Sequence, residues 1–230
     1  VVSIIFWYFN VKGEKDFIRS IFSRYVSSEV LQELTNNPEL AKPGGRKVEV
    51  SVIFVDIRSF TSFARGRDPE KVVEKLNQTF KIIGNLIIDH NGTLDKYLGD
   101  GFIAFFGAPL PYTNHPQKCL KAAREIQKMS KQDKLPFKLG IGLDTGSVIV
   151  GNIGSEKMMD YTIIGDSVNR AARFVDMADK DEIILSKKFW SKLGPKEKDV
   201  IKRVFKIESE TAEIGQKVEP IVRLLRRENS

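Results

Sequence analysis

Residues 93–106 read Thr93-Leu94-Asp95-Lys96-Tyr97-Leu98-Gly99-Asp100-Gly101-Phe102-Ile103-Ala104-Phe105-Phe106. Two runs suited to strands flank Gly99-Asp100-Gly101, a composition that closes a tight hairpin. Just upstream the pattern is helical. Val72, Val73, Leu76, Phe80, Ile83 and Ile87 recur on one face after Asp68-Pro69, an N-cap followed by proline at the first helical position. Further upstream, Val48, Val50, Val52 and Phe54 alternate with Glu49 and Ser51, the period of a strand that ends at Asp56.

Downstream, His115-Pro116 opens a second helix reaching about Ser130. Residues 137–143 and 147–153 predict a hairpin around Asp144-Thr145-Gly146. A short strand over 161–164 leads into a helix from Asp166 to about Ala178, residues 183–185 form a further strand, and the C-terminal part reads as peripheral helix and strands. The core order is strand, helix, strand, strand, helix, strand, the ferredoxin-like split unit. The expected fold class is α+β, a ferredoxin-like βαββαβ core with a mostly antiparallel sheet and C-terminal additions.

The topology has a chemical consequence. The first helix is a right-handed crossover, so strands one and two run parallel with strand three between them. The hairpin turn then lies at the same sheet end as the end of strand one, and Asp56 meets Asp100. Paired carboxylates beside backbone carbonyls suit hard cations such as Mg²⁺, which take oxygen ligands and leave room for phosphates. The turn after Asp56, from Ile57 through Phe60 and Thr61 into a short helix, offers backbone N–H groups as a phosphate cradle.

Composition narrows the remaining classes. A chain of 230 residues, 41 % hydrophobic and 29 % charged, suits one domain with appendages or two small ones and excludes collagen-like and low-complexity readings. Cys119 is the only cysteine, so no intramolecular disulfide can form, and a reducing compartment is expected. The net charge of +7 is concentrated between residues 187 and 208, where eight basic residues face three acids. The spaced lysines of that stretch read as a solvated face rather than a basic groove for stacking bases, and no nucleic-acid partner is expected.

The chain begins with Val1 and reads as a fragment. Residues 1–9, VVSIIFWYF, are too few for a bilayer, which needs about 20 apolar residues. Trp7 and Tyr8 followed by Lys12 and Lys15 fit the cytoplasmic exit of a longer transmembrane helix. Phe17, Ile18, Ile21, Phe22, Tyr25, Val26, Val30, Leu31 and Leu34 mark one face of a helix, which Asn36-Asn37-Pro38 stops before the connector KPGGR at 42–46. Residues 1–46 are expected as membrane exit, signalling helix and linker, and 47–230 as the compact domain. Its expected location is the cytoplasmic face of a membrane, tethered through the missing N-terminal region.

These residues resemble a known family. Phe54-Val55-Asp56-Ile57-Arg58-Ser59-Phe60-Thr61 and Asp95-Lys96-Tyr97-Leu98-Gly99-Asp100-Gly101 are similar to the two metal motifs of class III nucleotidyl cyclases. Gly142-Leu143-Asp144-Thr145-Gly146 with Gly151-Asn152-Ile153-Gly154 resembles the family's central hairpin, and residues 160–173 its transition-state segment. The resemblance covers about residues 48–185 and implies an adenylyl cyclase. By it, Asp56, Asp100 and the Ile57 carbonyl hold two Mg²⁺ or Mn²⁺ ions. Lys96 donates to adenine N1, and Thr162 accepts from the N6 amine while donating elsewhere. Asn169 orients the ribose, and Arg173 neutralises charge on the α-phosphate. Metal and transition-state sets come from opposite subunits in that family, which implies ATP as substrate and a symmetric homodimer.

One departure stands out. The family's C-terminal Lys-Gly pair is replaced by Ile214-Gly215, with Lys217 two residues beyond, so the contact to the terminal phosphate is left open. The alternatives are a guanylyl cyclase and a catalytically silent nucleotide-binding module. Arg58 and Arg65 read as solvated, Asp166 as an N-cap or first-turn acid, Cys119 as a small core residue, and His90 and His115 as helix-end and helix-start residues.

Overall fold

Alternating β-branched residues make the segment before Asp56 extended, because such side chains pack well on a pleated surface. In the computed structural model they form the middle of strand β1 (Gly44–Ile57). The structure describes residues 43–155, 158–214 and 217–226, together with Gln32, Asn36 and Asn37. The expected membrane exit and, apart from Gln32, the signalling helix lie outside the described residues.

After β1 come α1 (Phe60–Ala64), α2 (Pro69–Asp89), β2 (Gly92–Leu98), β3 (Gly101–Phe106) and α3 (His115–Lys131). Then follow β4 (Leu139–Ser155), β5 (Met158–Ile164), α4 (Asp166–Met177), β6 (Glu182–Ser186), α5 (Lys187–Lys192), α6 (Pro195–Val204), β7 (Phe205–Ile214) and β8 (Lys217–Arg226). The sheet order is β2-β3-β1-β4-β6-β8-β7, with β5 paired to β4. Among the described residues only β4 and β6 pair in parallel; the other ladders are antiparallel. β3 lies between β1 and β2 as expected, and the ferredoxin-like core is present.

The sheet separates two apolar layers. Ile53, Val55 and Ile57 face one layer with Phe80, Ile83 and Ile87 of α2 and Cys119, Leu120 and Ile126 of α3. Val50 and Val52 face the other with Ile103, Phe105, Val148, Val150, Ile163 and Ala171 of α4. Each fully buried large side chain contributes about 1.5–3 kcal/mol of burial. Cys119, a small side chain, is fully buried among them, and burial pushes its thiol well above the usual range.

The start signals held where they were local. Asp68 accepts a hydrogen bond from the Glu70 amide at 3.0 Å and caps α2, with Pro69 first in the helix. His90 ends α2, His115 begins α3, and Asp166 is a first-turn acid of α4.

Two expectations are corrected. The hairpin predicted around Asp144-Thr145-Gly146 does not exist: β4 runs straight through these residues for 17 positions. Its ladder with β1 extends from Gly44↔Asn152 to Ile57↔Leu139, with Asp144 opposite Val52 and Gly146 opposite Val50. Thr145 Oγ1 donates to the Val50 carbonyl at 3.0 Å, so the polar pair that signals a turn is consumed within the sheet. The chain instead reverses after β4, where Ser155 pairs with Met158. The second correction concerns the connector. β1 already begins at Gly44, because backbones approach closely there: a Cβ at Gly151 would lie 2.2 Å from the Gly44 carbonyl oxygen.

Candidate active site

The end of β1 and the β2–β3 turn meet as the topology requires. Asp56 is the register partner of Gly101, and the Ile57 amide donates to the Asp100 carbonyl at 3.3 Å. Gly99 has a φ of +65°, and a Cβ at Gly101 would lie 2.7 Å from the Val55 carbonyl oxygen and 3.3 Å from Asp56 Oδ1. The turn therefore needs glycine on both sides of Asp100. Asp56, Ile57 and Asp100 are brought to one sheet end.

Burial pushes the Asp56 carboxyl above the ordinary aspartate range; the Arg58 guanidinium opposes this, and Asp100 and Asp176 reinforce it. Arg58 is a correction to the sequence reading. It is not solvated but folded back, donating to the Asp56 carboxylate and, at 3.1 Å, to the Ala178 carbonyl. A guanidinium thus stands where a cation is wanted. The donors here are all hard oxygens, and among the described residues no cluster of three metal-ligating side chains is found. Two carboxylates and a carbonyl fit a divalent ion that completes its shell with phosphate oxygens and water.

Phe60 packs its ring at 5.9 Å from Phe137 and 6.5 Å from Phe63. Its side chain belongs to the helix-side layer rather than to a ligand, which leaves only its backbone for the expected substrate contact. Thr61 is exposed at the start of α1.

A second group forms where β2 faces β5. The β2–β3 ladder shifts register between Leu94, opposite Ala104, and Lys96, opposite Ile103. Asp95 is the extra residue of this bulge, and a bulge re-aims neighbouring side chains. Lys96 Nζ donates to Asp160 Oδ2 at 3.0 Å, and Thr162 Oγ1 donates to Asp95 Oδ2 at 2.8 Å. Lys96 Nζ also lies 3.8 Å from Asp95 Oδ1, so Asp95 joins Lys96 and Thr162. Burial pushes the Asp95 carboxyl up; the Thr162 hydroxyl, the Lys96 ammonium and the Ile163 amide oppose this.

The third group lies on α4. Asn169 and Arg173 are both exposed, one turn apart on the outer face, and Arg173 reaches Asp176 at 3.8 Å. The inner face is seated by Asp144, fully buried, which accepts from Arg170 Nε at 2.7 Å and from the Ser186 hydroxyl. A Cβ at Gly142 would lie 2.2 Å from the Ala171 carbonyl oxygen and 2.5 Å from the Val175 amide nitrogen, so helix and strand backbones touch. The Lys217 side chain, the candidate for a terminal-phosphate contact, lies outside the described residues.

The arrangement therefore has a carboxylate pair, an ammonium–hydroxyl pair and an exposed amide–guanidinium pair, all drawn from motifs met in order along the chain. The model of the adenylate and guanylate cyclase catalytic domain matches residues 44–214. The chain belongs to the adenylate and guanylate cyclase catalytic domain family. Among relatives of this cyclase domain, the uncharacterized protein Rv1318c of Mycobacterium tuberculosis is 36 % identical over 165 residues, 72 % of this chain and 30 % of that protein. The chain thus spans under a third of the length of such relatives. The solved adenylyl cyclase CyaB from P. aeruginosa superposes with a TM-score of 0.69 at 25 % identity, covering 80 % of this chain and 96 % of that one. The guanylyl cyclase Cya2 gives 0.65 at 31 % identity, with 80 % and 96 % coverage.

Four residues of the cyclase site escaped the sequence reading: Arg58, Asp95, Asp144 and Arg170. Arg58, Asp144 and Arg170 were hidden because charge predicts exposure, and only their pairing explains their burial. Asp95 was hidden because a bulge leaves no trace in strand alternation.

Proposed function

We propose that this cyclase domain is an adenylyl cyclase, converting ATP to 3′,5′-cyclic AMP and pyrophosphate at a homodimer interface. The observation that carries the reading is the Lys96–Thr162 pair, bridged by Asp95, with Asp160 holding Lys96 from its other side. An ammonium only donates and so matches adenine N1, while a threonine oxygen can accept from the 6-amino group.

Asp56 and Asp100, with the Ile57 carbonyl, would hold two Mg²⁺ or Mn²⁺ ions, which when bound would supply charge to activate the ribose 3′-hydroxyl and screen the triphosphate. Asn169 orients the ribose, and Arg173 meets the charge that develops on the α-phosphate as the 3′-oxygen attacks and pyrophosphate leaves. Positioning and charge neutralisation supply most of the rate in such transfers. Asn169 and Arg173 face outward, which suits sites completed by a second copy. Ile149 and Ile164, register partners 40 % and 53 % exposed, offer apolar surface for that contact. The membrane tether and the cytoplasmic placement rest on the sequence of residues 1–15; among the described residues no helix is long and apolar enough to cross a membrane.

A guanylyl cyclase is the second reading, favoured by the 31 % identity to Cya2. The deciding experiment assays ATP and GTP in parallel with Mn²⁺ over a range of protein concentrations. Cyclic AMP formation rising faster than linearly with protein, and lost in Asp56→Ala, is the expected result. Wild-type rates in Asp56→Ala, or a preference for GTP, would overturn it.

A further inference from the structure

Asp95 has an environment that a strand residue beside solvent does not need. It is the residue that the β2 bulge adds, with no partner on β3. Its side chain is 1 % exposed, with the Lys96 ammonium 3.8 Å from Oδ1. Its Oδ2 lies 2.8 Å from Thr162 Oγ1. A carboxylate has no hydrogen to give, so in this pair the hydroxyl is the donor. Threonine has one hydroxyl hydrogen, and it is spent inside the protein. Only lone pairs remain for anything that approaches Thr162 from outside.

We infer that Asp95 is a specificity-determining positioning residue: by taking the Thr162 hydroxyl hydrogen it makes Thr162 acceptor-only, so the site takes a 6-aminopurine nucleotide and rejects a 6-oxopurine one. This rests on the adenylyl cyclase reading and deepens it. A threonine with a free hydroxyl rotates to donate or accept, and so tolerates either base. Fixed by Asp95, it complements an amino N–H and opposes a carbonyl oxygen. Lys96 adds the same preference at the neighbouring ring position, where a 6-aminopurine has a bare N1 and a 6-oxopurine an N1–H. Together the two side chains present acceptor then donor, the mirror of the adenine edge. Asp160, on the far side of Lys96, holds the ammonium from the solvent side.

The test is Asp95→Asn in the full chain. The carboxamide has the same shape but can donate to Thr162, which frees the hydroxyl hydrogen to turn outward. The ratio of kcat/KM for ATP to that for GTP is measured, along with equilibrium binding of 3′-deoxy-ATP and 3′-deoxy-GTP, which lack the attacking oxygen. The ATP preference is expected to fall about tenfold, the worth of one hydrogen bond gained or lost. In a Thr162→Val background Asp95→Asn should leave the ratio unchanged, since the hydroxyl it acts through is gone. Thr162→Ser, which keeps the hydroxyl beside an intact Asp95, should retain the preference that Thr162→Val loses. Should Asp95→Asn not fold, Asp95→Ala, which takes the acceptor away and frees the Thr162 hydroxyl, is read in the same way, and an ATP preference that survives it overturns the inference. A wild-type preference for ATP that survives Asp95→Asn, with both nucleotides weakened equally, overturns this inference alone. A wild-type preference for GTP overturns the adenylyl reading and the inference with it.

Discussion

Arg170 on α4 and Asp144 on β4 form an ion pair at 2.7 Å in which the carboxylate is fully buried. Burial pushes the Asp144 carboxyl up, and the Ser186 hydroxyl and Arg170 oppose it. The pair seats the helix that carries Asn169 and Arg173. Removing one partner of such a pair leaves an uncompensated buried charge. Arg170→Ala is therefore expected to cost about 3–5 kcal/mol in urea denaturation. Cyclase activity should fall further than Arg170→Lys makes it fall, because lysine keeps the charge.

Gly142 sets the distance of that same helix. Any side chain there meets the α4 backbone, which cannot swing aside as a flexible side chain would. Gly142→Ala is expected to destabilise by about 1–3 kcal/mol, as overpacked cores do. A thermal melt unchanged from wild type would show that α4 is free to shift.

If the two halves of the site come from different copies, two dead variants should rescue each other. Asp56→Ala and Arg173→Ala are each expected to be inactive as pure homodimers. Mixed in equal amounts and allowed to exchange, they should recover about a quarter of wild-type activity: half the dimers are mixed, each with one intact site. No recovery, with exchange demonstrated by native mass spectrometry, would place a whole site in one chain.

Arg58 competes for Asp56 with any divalent ion. Replacing it with methionine removes the competing charge while keeping much of its length. Mn²⁺ binding, measured by calorimetry, should tighten by about threefold to tenfold. Unchanged affinity would mean that Arg58 already withdraws when the ion arrives.

His115 gives a pH dependence of stability. Its Nδ1 lies 2.9 Å from Ser51 Oγ in a buried position. Burial holds its pKa below the ordinary 6.5; Glu49 opposes this shift and Lys192 reinforces it. A depressed folded pKa means that the unfolded chain takes up the proton first. The contribution is thus complete above about pH 6.5 and is lost as pH falls from there through the folded value. Urea denaturation between about pH 8 and pH 5 should show this decline, and His115→Asn should flatten it.

Much of the fold could be read from periodicity, since α2, β3 and the strand before Asp56 each carry a clean apolar pattern. The meeting of Asp56 and Asp100 followed from topology alone. What could not be read were outcomes decided between distant segments. Asp144-Thr145-Gly146 has the composition of a turn, yet β1 supplies ladder partners and Arg170 and Ser186 supply a buried counter-charge and a hydroxyl. Tertiary pairing overrode a local signal. Phe60 likewise looked like part of a ligand loop until Phe137, 77 positions on in sequence, claimed its ring.

The entry of the chain into the domain has a mechanical meaning. Gly44 pairs with Asn152, which pairs on its other side with Tyr161, the neighbour of Thr162. A push or twist entering at Gly44 thus arrives two rungs along, on the strand that carries Thr162. Asp56 sits roughly 40 Å further along the same strand. Input at that end reaches the Lys96–Thr162 pair by the short route and the carboxylate pair by the long one.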